Sequence, residues 1–139
     1  MNLKIIIAAA AGTVFIILIV VTFVTRLKSR RALPNKFRAN WLEVQRLCAS
    51  KETWALAVIN ADKLLEEGLK KKRFKGKSMG ERMVAAQRII TDNDGVWYAH
   101  NLAKKLLDET HKGLREAQVK KSLIGIRQAL RDIGLLNGK

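Results

Sequence analysis

Acids, proline, cysteine and histidine are all scarce in this chain of 139 residues, and each scarcity excludes something. There are 12 Asp plus Glu against 27 Lys plus Arg, with one Pro, one Cys and two His. The single cysteine, Cys48, excludes an intramolecular disulfide framework and any cysteine-only zinc site. With only His100 and His111 beside it, a transition-metal cage is not expected, and neither a metal nor a cofactor is assigned. Apolar residues are not scarce. At 48% hydrophobic content the chain is unlike a disordered polycation, and its length suits about one ordinary domain. A mean hydropathy close to zero beside a net charge of +15 points to two unlike segments averaged together.

The split falls at Arg26. Residues 5–25 read IIIAAAAGTVFIILIVVTFVT, a run without a charged side chain. As a helix it rises about 31 Å, close to the thickness of a hydrocarbon core. A lone segment crossing lipid must satisfy its own backbone, so it must be helical despite its β-branched content. A cleavable signal has a shorter apolar region ending in small residues, whereas this one ends in Val-Thr-Phe-Val-Thr. An uncleaved transmembrane helix over 5–25 is therefore expected, preceded by a short terminus, 1–4. Upstream lies Lys4; downstream come Arg26, Lys28, Arg30, Arg31, Lys36 and Arg38, with no acid before Glu43. The positive-inside rule then places the terminus outside the cell membrane and the rest in the cytoplasm. A reducing compartment also suits the unpaired Cys48. Residues 26–36 read as a basic juxtamembrane linker whose cations contact anionic headgroups, at about 1 kcal/mol each.

Pro34 disfavours helix at Leu33, which marks the end of that linker. Beyond it, residues 37–139 carry helical periodicity and no sustained alternation, so the expected fold is all-α: a bundle of about four to five helices after the transmembrane segment. The first stripe, in a segment 35–49, is Phe37, Trp41, Val44 and Leu47 with Cys48. The second, in 51–69, is Trp54, Val58, Ala61, Leu65 and Leu69. Ser78 and Glu81 have the spacing of a capping box and start a third helix that turns Met83, Val84 and Ile90 inward. Thr91-Asp92-Asn93-Asp94-Gly95 breaks the pattern before a fourth helix, 96–110, with Val96, Ala99, Ala103, Leu106 and Leu107 inward. The fifth, 115–133, offers Val119, Leu123, Ile126, Leu130 and Ile133. Trp41, Trp54 and Trp97 are expected to anchor the core or, for one of them, a subunit interface.

Each chemical motif has a plainer structural reading beside it. Gly76-Lys77-Ser78 matches the tail of a phosphate-binding loop, but Lys71 stands where the first glycine is needed and no strand precedes it. Asp92-Asn93-Asp94-Gly95 resembles a calcium loop whose twelfth position, Ala103, supplies no ligand, so a capped turn is the better reading. Asp62 lies at the margin of a buried stripe, where an unpaired carboxylate is costly. It should find an internal partner among Arg82, Arg88 and the Trp97 indole N–H. His100 falls beside the inward face of the fourth helix as a second buried polar group, and His111 near a helix end. Neither has a Ser, Cys or acid at a spacing that makes a dyad evident, so no catalytic residue is assigned. Lys70, Lys71, Lys72, Arg73, Phe74, Lys75 and Lys77 form the densest basic feature. It suits a solvated loop, an anionic lipid surface, or a nucleic-acid backbone with Phe74 stacked on a base.

Three stretches carry a resemblance: Val58-Ile59-Asn60-Ala61-Asp62-Lys63-Leu64-Leu65, Lys77-Ser78-Met79-Gly80-Glu81-Arg82-Met83 and Val96-Trp97-Tyr98-Ala99-His100-Asn101-Leu102. Over Trp41 to Leu136 the chain resembles small membrane-anchored proteins of ultra-small, host-associated bacteria that have a HEPN-like helical domain. The resemblance implies a bundle of four or five helices that tends to dimerise. Active HEPN ribonucleases carry an Arg, a polar neighbour and a His four to six residues on, and two copies meet to cleave RNA. The corresponding positions here are Ala103, Lys104 and Asp108. Sliding the match to Lys105 and His111 restores the spacing, but Lys lacks the planar fork of Arg. The expectation is a single-pass, membrane-anchored interaction module that self-associates as a homodimer or recruits a protein partner, with membrane lipids as a further contact. The alternative is a tethered HEPN-like RNA-binding protein or ribonuclease, with nucleic acid the less favoured partner.

Overall fold

The structure is a computed structural model describing residues 2–108 and 113–137, without the side chains of 29–31. It is all-helical: α1 (Leu3–Leu47), α2 (Trp54–Lys71), α3 (Met79–Ala86), α4 (Asn93–Leu107) and α5 (Glu116–Asp132), with a 3-10 turn at Lys51–Thr53. Among the described residues there is no strand. The chain divides into two compact units, Met1–Leu33 and Pro34–Lys139.

The first unit is the apolar part of α1, the one described helix long and apolar enough to cross a membrane. Its large side chains are all exposed, Ile5 through Val24 included. Its few polar groups are satisfied within the helix. The hydroxyls of Thr13, Thr22 and Thr25 donate to the carbonyls of Ala10, Ile19 and Thr22, each three residues back. The helix break expected at Leu33 does not occur, and α1 runs through Pro34. The ring's fixed φ is compatible with helix, and the loss is confined to the one N–H that proline lacks.

The second unit is a bundle of the last part of α1 with α2 to α5. Phe37, Trp41 and Val44 are buried in the expected stripe. From α2, Ala57, Val58, Ala61, Leu64, Leu65 and Leu69 face inward. Ser78 caps α3: its Oγ accepts the Glu81 N–H at 3.2 Å, and the Glu81 carboxylate accepts the Lys77 N–H at 2.6 Å. The buried face of α3 is Met79, Met83 and Ala86, so Val84, expected inward, is 51% exposed on the flank. In α4, Leu106 packs on the cluster of Val58, Leu102, Ala103 and Val119, while Leu107, the last helical residue, is exposed. Val119, Ile126, Leu130 and Ile133 are buried along α5 as expected, with Leu123 half-buried.

One crossing sets the spacing of these helices. Asp92 caps α4, its Oδ1 accepting the Gly95 N–H at 2.9 Å, so the turn is a helix cap. A Cβ at Gly95 would lie 2.1 Å from that carboxylate. A Cβ at Gly125 of α5 would lie 2.6 Å from the Gly95 carbonyl carbon, a backbone atom that cannot swing aside. The same contact brings the end of α5 to the start of α4. Asp132 accepts both the N–H and the hydroxyl of Thr91 at 2.8 Å, and its other oxygen accepts from Gln128 at 2.8 Å. The chain then turns at Gly134, φ 74°, and buries Leu135 against Gly68 of α2.

Gly125→Ala is expected to destabilise the bundle by about 2–3 kcal/mol in urea unfolding of the detergent-solubilised chain, since the clash is with backbone. A loss below 0.5 kcal/mol would mean that α4 and α5 separate freely. Burial pushes the Asp132 carboxyl up, but the Thr91 and Gln128 donors outweigh it and hold it below the usual range. Its contribution is therefore complete above about pH 4 and lost as pH falls through the lowered value. The stability gap between wild type and Asp132→Asn should stay level from pH 7 to about 4 and close below that.

Candidate functional site

Asp62 of α2 and His100 of α4 meet on adjoining helices. Nδ1 of His100 lies 3.1 Å from both carboxylate oxygens, and the two side chains are 14% and 15% exposed. The partner expected among Arg82, Arg88 and Trp97 is thus His100. Arg82 instead lies 3.5 Å from Glu66, and its buried Nη1 makes no hydrogen bond. Trp97 stacks edge-on to His100, centroids 6.3 Å apart, and lies over Gly80. It is not a buried anchor: at 37% exposure it is more open than Trp41, which is buried, or Trp54, which is half-buried and donates to the Cys48 carbonyl at 3.1 Å. An Asp-oriented imidazole is half of a proton-transfer device. Among the described residues no Ser, Thr or Cys hydroxyl or thiol hydrogen-bonds to it to complete one.

The HEPN-type positions fall at the end of α4. Ala103 is in the core, whereas Lys104 and Asp108 face solvent, and His111 lies outside the described residues. Burial pushes the Cys48 thiol up, and its S–H points at the Val44 carbonyl, so it is not an activated nucleophile. No group of three or more His, Cys, Asp or Glu that could hold a metal occurs among the described residues.

The basic run sits at the end of α2. Lys70 and Lys71 are in its last turn, where cations complement the helix dipole. The turn that follows closes the helix end: the Arg73 N–H donates to the Lys70 carbonyl and the Phe74 N–H to the Leu69 carbonyl, both at 3.0 Å. Arg73 takes the left-handed position, φ 62°, that the equivalent turn after α5 gives to Gly134. A non-glycine residue there costs about 1–2 kcal/mol. Lys70 is paired with Glu66 at 2.9 Å. Lys71, Lys72, Arg73, Lys75 and Lys77 are exposed and have no carboxylate partner among the described residues. Phe74 is half-buried, with part of its ring on the bundle. Of the cations between residues 26 and 38, Arg26, Lys28 and Arg38 are exposed, Lys36 pairs with Glu67 at 2.9 Å, and the side chains of Arg30 and Arg31 are outside the description.

No family model, curated protein or solved structure matches the chain.

Asp62→Ala and His100→Ala should each cost about 1–2 kcal/mol in unfolding, because each leaves a half-buried partner unsatisfied. The double variant should cost little more than the larger single one. A double loss equal to the sum of the two would sink the pairing.

Proposed function

We propose that the chain is a single-pass membrane protein whose bundle works at the cytoplasmic face as an interaction module. The carrying observation is the exposed, uncharged run of α1 followed at once by a basic segment. In this reading residues 26–38 set the orientation, and the turn at the end of α2 adds a second contact with anionic lipid. Five unneutralised cations lie within seven residues there, and one, Arg73, stands at a backbone position where glycine would be less strained. The bundle so held gathers a partner at the membrane, a second copy or another protein. The tethered-RNA reading draws on the same surplus charge, but it needs an arginine where Ala103 stands in the core.

The full chain should float with vesicles and resist carbonate extraction. A 34–139 fragment should bind phosphatidylserine vesicles, and Lys71→Glu with Lys72→Glu and Lys75→Glu should weaken that binding more than about 100-fold, at about 1 kcal/mol per cation. Arg73→Gly separates charge from fold: it should weaken vesicle binding about fivefold while stabilising the bundle by about 0.5–1 kcal/mol. RNA binding that survives about 0.2 M salt, or RNA cleavage abolished by His111→Ala, would overturn the reading.

A further inference from the structure

Several helix ends of the second unit gather at one end of the bundle. Lys36, in the first turn that α1 contributes to this unit, pairs with Glu67 near the end of α2 at 2.9 Å. A Cβ at Gly68, one residue on, would lie 2.7 Å from Leu135 and 3.3 Å from Ile133, so the end of α5 packs at the same level. The turn at Gly134 passes beside Lys72, whose Nζ would lie 3.6 Å from a Cβ there. Arg38 lines a groove beside Trp41 together with Leu136 and Asn137. α4 begins at this end too, since Thr91 is held by Asp132.

The charges of this end are one-sided. Arg38, Lys71, Lys72, Arg73, Lys75 and Lys77 are exposed and have no carboxylate partner among the described residues. Its acids are engaged, Glu67 with Lys36, Glu66 with Lys70 and Arg82, and Asp132 with Thr91, while Asp94 in the first turn of α4 is left open. The opposite end is about 27 Å away, the length of the 18-residue α2. Trp54, Leu106 and Leu114 pack on one cluster there, which joins the start of α2 to the end of α4 and the approach to α5. At that end both signs are exposed: Lys51 stands beside Glu52, Lys104 precedes Asp108, and Arg115 adjoins Glu116.

We infer that the cationic end is the face by which the bundle engages the bilayer that holds its own apolar helix, not an opposing one, and that anionic headgroups hold it there. The apolar run ends at Thr25 and the second unit begins at Pro34, and the eight residues between them reach at most about 29 Å. Pro34 and Lys36 stand at the cationic end, so that end stays near the surface whatever path the intervening chain takes. Contact with that bilayer is therefore intramolecular, at an effective concentration of about a millimolar, and individually weak headgroup contacts suffice. An opposing bilayer or a nucleic-acid strand would meet the same cations without that advantage. The inference rests on the membrane reading and adds to it Arg38, a contact outside the turn, and the identity of the bilayer that is met.

The test uses the full chain in vesicles that carry an acceptor dye on their headgroups. In a Cys48→Ala background, a donor dye is attached at Asn137→Cys on the cationic end or at Lys51→Cys on the opposite end, both exposed positions. Adding phosphatidylserine to an uncharged bilayer should raise energy transfer more from the first site than from the second. Arg38→Glu should lower the ratio of engaged to free bundle about fivefold or more, and Arg38→Lys should restore it. Lys104→Glu, at the opposite end, should leave that ratio within about twofold. These positions are exposed, so the variants should keep wild-type helicity by circular dichroism. No rise with phosphatidylserine, a larger rise at the opposite end, or an unchanged ratio in Arg38→Glu would overturn the inference. So would clumping of chain-bearing vesicles with empty phosphatidylserine vesicles, which marks contact with an opposing bilayer. Release of the bundle by RNA at about 0.2 M salt would overturn it in favour of a nucleic-acid face. A chain that fails to float with vesicles sinks the membrane reading and this inference with it, whereas one that floats without the rise sinks the inference alone.

Discussion

α4 and α5 cross where Gly95 meets Gly125, and the approach is close enough that Gly125 has no room for a methyl group, while a Cβ on Gly95 would meet the Asp92 carboxylate. Gly95 thus has two neighbours. The carboxylate of Asp92 folds over it from one side to cap α4, and the backbone of α5 lies against the other. A helix start and a helix crossing thus share one residue. With α5 held there, Asp132 reaches Thr91, and the turn at Gly134 carries Leu135 back onto Gly68. The small buried residues Ala99 and Ala103 on α4, and Ser122 and Ala129 on α5, continue the same logic along the two helices. Ser122 is buried without an energetic penalty because its hydroxyl donates to the Gln118 carbonyl, one turn back.

The scarcity of acids takes on meaning once their places are known. Asp62 holds His100, Asp92 and Glu81 cap helices, Asp132 ties α5 to Thr91, and Glu66 and Glu67 meet Lys70, Arg82 and Lys36. Six of the 12 acids are therefore engaged in these contacts. The cations from Lys71 to Lys77 after α2 have no carboxylate partner among the described residues and face outward in local excess. The net charge of +15 is less a uniform property than the sum of several patches, each with its own neighbourhood.

Much of the fold was legible because its signals are short-range. The apolar run of α1, the Ser78 cap and the stripe of α5 are periodic or local patterns, and the helices formed where those patterns lie. The exceptions share a cause. Val84, Leu107 and Trp97 are apolar and close to the expected stripes, yet they are exposed, since the buried face of each helix is set by its neighbours and not by its own sequence. The partner of Asp62 was expected among Arg82, Arg88 and Trp97, and only the packing of α4 on α2 decides that His100, one turn beyond Trp97, is the residue that meets it. Pro34 was read as a boundary from its own preference, while one missing hydrogen bond does not end a 45-residue helix.

The sequence alone determined the helical class, the apolar segment and the positions of the basic clusters. These depend on residue type and spacing along one dimension, where period and charge act within a turn or two. Only the tertiary structure decided which faces stay uncovered and which charges stay unpaired. The groove beside Trp41 has no counterpart in the linear pattern, because its walls come from residues about eighty positions apart. The close crossing of α4 and α5 likewise needs a position without a side chain, Gly125, whose significance no linear pattern announces.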